Sequence, residues 1–342
     1  MLKTEIVTLE QAGELDAFVK SHPEGHFEQV SGWGRLKGWP WRGILCRDET
    51  GNITGSMAIL MHKIRGTKFH MLYAPRGPVT DRQDFQTLEA LIDAAKELAK
   101  EFHGYLLRID PPVYDDQEEY RQEIRKLGFH IDVIDDFSGF NPRMVYIIDL
   151  KDKTPEQVLA GFHSRTRYNI RLSQRKGVTI EERGPESAGE FNQMMLNTAK
   201  KDGFHSRGED YYRRVLECFP DTSKMLFAMY EGRPVSGSIS IQFGPHTWSL
   251  FTGSTSELSC KPNEPLKWAD ISWAIEGGSE LYDFRGVKGY PTEDNPDIGL
   301  HKFKQGFGAE FKTYMGQMDL PLKPLAAKLI PKLQKLMLRL RG

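Results

Sequence analysis

This 342-residue chain carries one local pattern twice. Gly51-Asn52-Ile53-Thr54-Gly55-Ser56-Met57-Ala58-Ile59 has a counterpart in Gly232-Arg233-Pro234-Val235-Ser236-Gly237-Ser238-Ile239-Ser240-Ile241: a turn, a Gly-Ser step, then a strand of alternating residues. Each copy is followed by a further strand (Phe69 to Tyr73; Trp248 to Phe251), a helix (Phe85 to Glu101; Leu266 to Glu276) and a short strand ending in charge (Leu106 to Asp110; Leu281 to Arg285). Each half then closes with a Gly-Phe step and more strand, at Gly128-Phe129 and Gly306-Phe307. A repeat that keeps its neighbours in order implies two similar units, each with a sheet and core of its own.

Hairpin, strand, helix, strand, helix, strand is an α+β order, which builds a mixed sheet with flanking helices rather than a doubly wound one. The hairpin is read at Trp41 to Arg47 and Ile53 to His62, and helices at Phe85 to Glu101 and Glu118 to Lys126. The strand Met144 to Leu150 is assigned to the first half, giving domains 1–150 and 151–314. With 46 basic against 47 acidic residues, net charge alone predicts no nucleic-acid binder, so local patches matter more than the total. Cys46, Cys218 and Cys260 lie far apart without paired spacing, which argues against a disulfide framework and a zinc site. No apolar run is long enough to span a bilayer, and acids occupy the N-terminus where a signal peptide would be apolar, so the expected compartment is the cytoplasm.

Three stretches could carry chemistry. Asp283 to Phe311 reads as a strand end and then a Gly, Pro and Asp-rich loop, with Lys302 and Lys304 flanking Phe303 ahead of Gly306 and Gly308. Such glycines let backbone approach a ligand. From His163 to Lys176 there are five Arg/Lys and no acid, and Arg167, Arg171 and Arg175 repeat every four residues as one helical stripe, either a solvated face or a dock for a polyanion such as RNA. Ser206 can cap a helix starting at Glu209, leaving Arg207 beside its N-terminus, where it either binds an anion or is an ordinary surface arginine. There is no Gly-x-Ser-x-Gly elbow, no HExxH and no P-loop.

The element order is similar to the acyltransferase fold of the GNAT superfamily, here in tandem. Neither copy has an Arg/Gln-x-x-Gly-x-Gly loop before its helix. The segments there read Ala74-Pro75-Arg76-Gly77-Pro78 and Thr252-Gly253-Ser254-Thr255-Ser256, so the backbone cradle for a coenzyme A pyrophosphate is missing. A set of further segments resembles the FemABX non-ribosomal peptidyltransferases, which build the peptidoglycan interpeptide bridge. The set comprises Trp33-x-x-x-Lys37, Arg165 to Arg171 with Gly177-Val178, Asp202-Gly203-Phe204-x-x-Arg207-x-x-x-Tyr211, the Gly232 to Ile241 strand, Asp283 to Gly286, and Phe303-Lys304-x-x-Phe307-Gly308.

The resemblance implies an aminoacyl-tRNA donor carrying Gly, Ala or Ser, no cofactor, and an amine acceptor on the stem peptide of lipid II or UDP-MurNAc-pentapeptide. It implies that Lys37 and Arg207 bind the precursor's diphosphate from two sides of a cleft with Tyr211 nearby and that Lys304 sits at the reaction centre; Lys302, beside it in the same stretch, is a further candidate for binding substrate. An aminoacyl-tRNA donor agrees with the stripe of Arg167, Arg171 and Arg175, which are the candidate tRNA contacts. Where family members often have a tyrosine, this chain has Thr252 after Phe251. Only 13 positions separate Tyr211 from Lys224, too few for the long helical arm of some members, so a compact monomer is expected. In such members the chain's end, here 315–342, packs back on the first domain.

Aminolysis of an activated ester needs positioning and an oxyanion partner, a role that suits the mobile charge of Lys304. Asp110 is the candidate for orienting or deprotonating the attacking ammonium, or else a turn former beside Pro111-Pro112. An acyl-CoA N-acyltransferase and a non-catalytic RNA or membrane binder are the competing readings. The tail from Lys323 to Arg341 has six basic residues and no acid, with leucines at 325, 329, 333, 336 and 340, and is read as an amphipathic helix docked on the first domain. Pro331 is expected to kink it or to start a new helix, and its basic face is a candidate contact for an anionic inner leaflet.

Overall fold

The computed structural model describes residues 1–256 and 259–339, with side chains described through residue 333. The chain divides into two units, Met1–Arg143 with Thr313–Gly342, and Met144–Lys312.

The first unit is built on strands β1 (Lys3–Val7), β2 (Trp41–Arg47), β3 (Ile53–Lys63), β4 (His70–Ala74), β5 (Val79–Thr80), β6 (Gly104–Ile109) and β7 (His130–Asp132). The second uses β8 (Met144–Asp149), β9 (Thr179–Arg183), β10 (Ser223–Tyr230), β11 (Arg233–Phe243), β12 (His246–Ser254), β13 (Leu281–Gly286) and β14 (Glu310–Thr313), after which β15 (Gln317–Pro321) returns to the first. The sheets run β1-β2-β3-β4-β6-β15-β7, with β5 added to β3, and β14-β8-β13-β12-β11-β10-β9.

Position by position the two sheets correspond. Each has an antiparallel meander of four strands, then one parallel pair (β4 with β6, β12 with β13), then an antiparallel strand drawn from elsewhere in the chain. That last strand is β15 in the first sheet and β8 in the second. Met144–Asp149, assigned to the first domain from its place in the sequence, therefore runs in the second sheet, with Tyr282 opposite Ile148.

The first unit carries helices α1 (Gly13–Ser21), α2 (Ser31–Lys37), α3 (Phe85–Glu101) and α4 (Glu118–Lys126). α3 starts where Asp84 Oδ1 accepts from Thr87 N at 3.0 Å, and its Leu88, Leu91, Ile92, Ala95 and Leu98 recur at helical spacing on the buried face. Each large side chain among them gains about 1.5–3 kcal/mol by leaving water, which fixes the helix on β2, β3 and β6.

The second unit carries α5 (Pro155–Ala160), α6 (Ser164–Arg175), α7 (Ala188–Asp202), α8 (Glu209–Cys218), α9 (Asn263–Glu276) and α10 (Ile298–Gly306). Alternation along β11 places Val235, Ile239 and Ile241 on one side and the buried Ser236, Ser238 and Ser240 on the other, so the face toward α9 is polar. The last helix, α11 (Pro324–Arg339), runs through Pro331 without breaking and packs on the first unit's sheet through Ala326, Ala327 and Ile330.

Candidate functional site

The stretch around Lys304 is a helix where a loop was expected: α10 has His301 and Lys304 three residues apart on its buried face. Lys302, two residues before Lys304, points the other way and pairs with Glu293 in solvent at 2.9 Å, so it does not join Lys304. Gly306 faces Thr166. A Cβ there would lie 2.6 Å from Thr166 Oγ1, so its role is the close approach of α10 to α6. His301 is fully buried, with Nδ1 3.0 Å from the Tyr146 hydroxyl and Nε2 3.2 Å from the Lys288 carbonyl, which ties the loop after β13 to the helix.

Lys304 Nζ donates to the carbonyls of Phe284 at 3.0 Å, Arg285 at 2.9 Å and Gly286 at 2.8 Å. These three acceptors use all three ammonium protons and fasten the irregular end of β13, where Arg285 takes the left-handed conformation (φ 62°). Burial pulls the Lys304 pKa down to about 7; Asp283 opposes this, and the charges of Lys267 and Arg285 add to it.

A second buried lysine escaped sequence reasoning. Lys267 on α9 donates to Asp270 Oδ2 at 2.9 Å, Ser249 Oγ at 2.6 Å and Thr252 Oγ1 at 3.3 Å, while Ser238 donates to the other Asp270 oxygen at 3.0 Å. Thr252 is thus held by a lysine. The readable signal was the serine alternation on β11, which leaves a polar face that something on α9 must satisfy.

The arginine stripe splits. Arg167 turns back and caps α5, donating to the carbonyls of Ala160 at 2.9 Å and of Phe162. Arg171 and Arg175 are exposed beside Tyr168 and Gln174 along an open groove, and no carboxylate among the described residues pairs with either. Tyr168 is 51% exposed.

Arg207 is exposed, with its guanidinium 5.7 Å from the Tyr211 ring, and Tyr211 packs edge-on against Phe251. Ser206 does not cap α8: its hydroxyl lies 2.9 Å from the Tyr212 hydroxyl and 3.2 Å from Asn192 Oδ1, and the N-cap is Gly208. Glu209 and Asp210 occupy the first turn and pair with Arg213, so that helix end is already supplied with negative charge.

In the first unit Lys37 closes α2, its Nζ 5.2 Å from the Trp33 ring and 5.5 Å from the Trp39 ring. The two rings hold the ammonium in place by their π faces. Asp110, at the end of β6, accepts from the Tyr73 hydroxyl at 2.8 Å and from Arg76 N at 2.6 Å. Burial raises its pKa to about 6 against the lowering effect of Arg76, whose guanidinium donates to the Pro142 carbonyl at 2.7 Å and lies over Tyr314. Asn141 bridges Glu28 and Tyr73 into the same network, and the cavity beside it, about 10 Å³, is the size of one water. No cluster among the described residues could hold a metal ion.

A profile of the FemAB family matches residues 10–231 and 230–335. A lipid II:glycine glycyltransferase of Staphylococcus epidermidis is 27% identical to this chain, the match covering 94% of each. Among solved structures, that of FemX superposes with a TM-score of 0.87 at 24% identity, covering 96% of this chain and all of that one. A tandem GNAT protein from the clavulanic acid biosynthesis pathway superposes with a TM-score of 0.56 at 12% identity, over 95% of this chain and 99% of that one. The fold is that of tandem GNAT domains, and the chain belongs to the FemAB family of aminoacyltransferases.

Proposed function

We propose that the protein transfers glycine, alanine or serine from an aminoacyl-tRNA to the side-chain amine of a peptidoglycan stem peptide. Lipid II is the favoured acceptor, since the relatives matched along nearly the whole chain are named for it; the soluble UDP-linked precursor is the alternative. A lipid-linked acceptor puts the working enzyme at the inner face of the membrane.

The acceptor amine attacks the ester carbonyl, a C–N bond forms, and the C–O bond to the tRNA ribose breaks, with the proton lost by the amine balancing the one gained by the leaving oxygen. Positioning and charge stabilisation suffice for an ester already activated in this way. Lys304 meets the developing oxyanion by exchanging one of its three carbonyl acceptors for it. Asp110 is the base for the acceptor ammonium, because a carboxylate raised to about 6 can take a proton near neutral pH. Lys37, held between two tryptophans, and Arg207 with Tyr211 each bind precursor phosphate.

The single observation that most supports an RNA donor is the exposed Arg171 and Arg175 pair beside Tyr168, cations with no carboxylate partner among the described residues. Incubating the protein with a mixed charged-tRNA pool and lipid II, with and without ribonuclease, tests the reading. A product heavier by one Gly, Ala or Ser residue, lost on ribonuclease treatment, is expected. Transfer that survives ribonuclease, or none with any charged tRNA, overturns it.

A further inference from the structure

Among the described side chains of helix α11 there are two apolar faces, and one of them is packed on the first unit. Ala326, Ala327 and Ile330 pack on Ile64, Met71, Tyr73, Tyr105 and Leu106 of the first unit, and Ile330 is 4% exposed. The leucines expected to form the docked face do not. Leu325, Leu329 and Leu333 are 79%, 54% and 50% exposed, while Leu336 and Leu340 lie beyond the described side chains. At 100° per residue the three exposed leucines share one flank of the helix, between the docked edge and a row formed by the exposed Lys328 and Lys332. The helix contains no acid, and neither lysine has a carboxylate partner among the described residues.

We infer that this flank of α11 is a docking surface for an anionic lipid bilayer, the leucines entering the acyl boundary and the two lysines reaching the headgroup phosphates. Apolar side chains beside a basic row, on a helix fixed flat against a folded domain, are the chemistry of a surface-lying membrane contact. Lysine suits the boundary because its stem can lie along apolar surface while the ammonium stays among phosphates. A second copy of the chain is a poorer occupant. The stripe is a convex ridge of three leucines, small against the roughly 800 Å² per partner of a stable interface, and its lysines would face lysines across a twofold axis.

The inference uses the proposed reaction only in choosing a bilayer as occupant, and its test reads binding rather than transfer, so the two can fail separately. Full-length protein is co-sedimented with vesicles of equal parts phosphatidylglycerol and phosphatidylcholine, and with phosphatidylcholine alone, at low and high salt. The wild type is expected to prefer the anionic vesicles, and more so at low salt. Leu325→Gln/Leu329→Gln/Leu333→Gln should lower partitioning by roughly tenfold or more, and Lys328→Glu/Lys332→Glu should abolish the preference for anionic lipid. Should the triple variant melt early, Leu325→Gln and Leu329→Gln singly must each reduce binding. Wild-type binding by all variants, no binding by the wild type, or a wild-type dimer that the leucine variant dissolves would overturn the proposal.

Discussion

Lys267 Nζ lies 2.9 Å from Asp270 Oδ2 one turn along α9, and both side chains are withdrawn from solvent. Removing one partner leaves the other charge buried. Lys267→Met alone is expected to cost about 3–5 kcal/mol, and Lys267→Met/Asp270→Leu should recover much of that loss, since a buried pair gains little over apolar side chains of similar volume. Urea denaturation of the two variants checks this. A double variant as unstable as the single one would mean that the Ser238, Ser249 and Thr252 bonds dominate instead.

Lys304→Ala is expected to lower kcat by roughly two to three decades with little change in KM for the precursor, the pattern for losing a transition-state partner. Lys304→Arg should not rescue it, because a planar guanidinium cannot direct protons at three carbonyls converging on one nitrogen. Full turnover in a folded Lys304→Ala protein would reduce the residue to a clasp on β13.

Asp110 predicts a pH dependence of stability. Its folded pKa of about 6 lies above the ordinary 3.8, so between these values the native state holds the extra proton. Its contribution is therefore greatest below about pH 4 and is lost as pH rises through 6, by an amount on the order of 3 kcal/mol. Asp110→Asn has no such titration. The wild type minus variant difference in unfolding free energy should fall between pH 4 and pH 7, and a flat difference would contradict an enclosed carboxylate.

The two parts of the arginine stripe should separate in binding experiments with uncharged tRNA. Arg171→Ala and Arg175→Ala should each weaken binding and reduce the salt slope by about 0.7–0.9, and Tyr168→Ala should weaken it with no change in slope. Arg167→Ala should leave RNA binding alone and lower the melting temperature, since its bonds are to the carbonyls of Ala160 and Phe162. Fluorescence anisotropy over a salt series reads both quantities.

Lys37→Ala and Arg207→Ala are each expected to raise KM for lipid II far more than they lower kcat. Calorimetry showing unchanged precursor affinity in both variants would remove them from the phosphate site.

What the sequence reveals follows the range of the interaction. α3, α4 and the β2–β3 hairpin are set by neighbours in the chain, by the Asp84 cap and the alternation of Ile53 to His62, and all three were readable. β8 was not, because its place is decided by Leu281 to Gly286, far along the chain, rather than by the strand it follows. The α10 helix was hidden behind the Gly, Pro and Asp of its approach, and Gly306 mimicked a ligand loop while serving the contact with Thr166. Lys267 and Asp270, three apart on a helix, look like a surface ion pair until the serines of β11 are turned toward them. Lys304 stood out in the sequence between Phe303 and the following glycines, and its role there was implied by resemblance alone; that its three protons are engaged by backbone carbonyls depends on the folded end of β13.

The place of β15 has a consequence for how the protein is made. Between β6 and β7, both translated early, the first sheet lacks its connecting strand until Gln317–Pro321 leaves the ribosome. The strands of the second sheet, β8 to β14, are all made by Thr313. The half synthesised first is thus the last able to close, and a chain released just after Tyr314 would carry a complete second sheet and a first sheet left open at β6, with β7 unpaired.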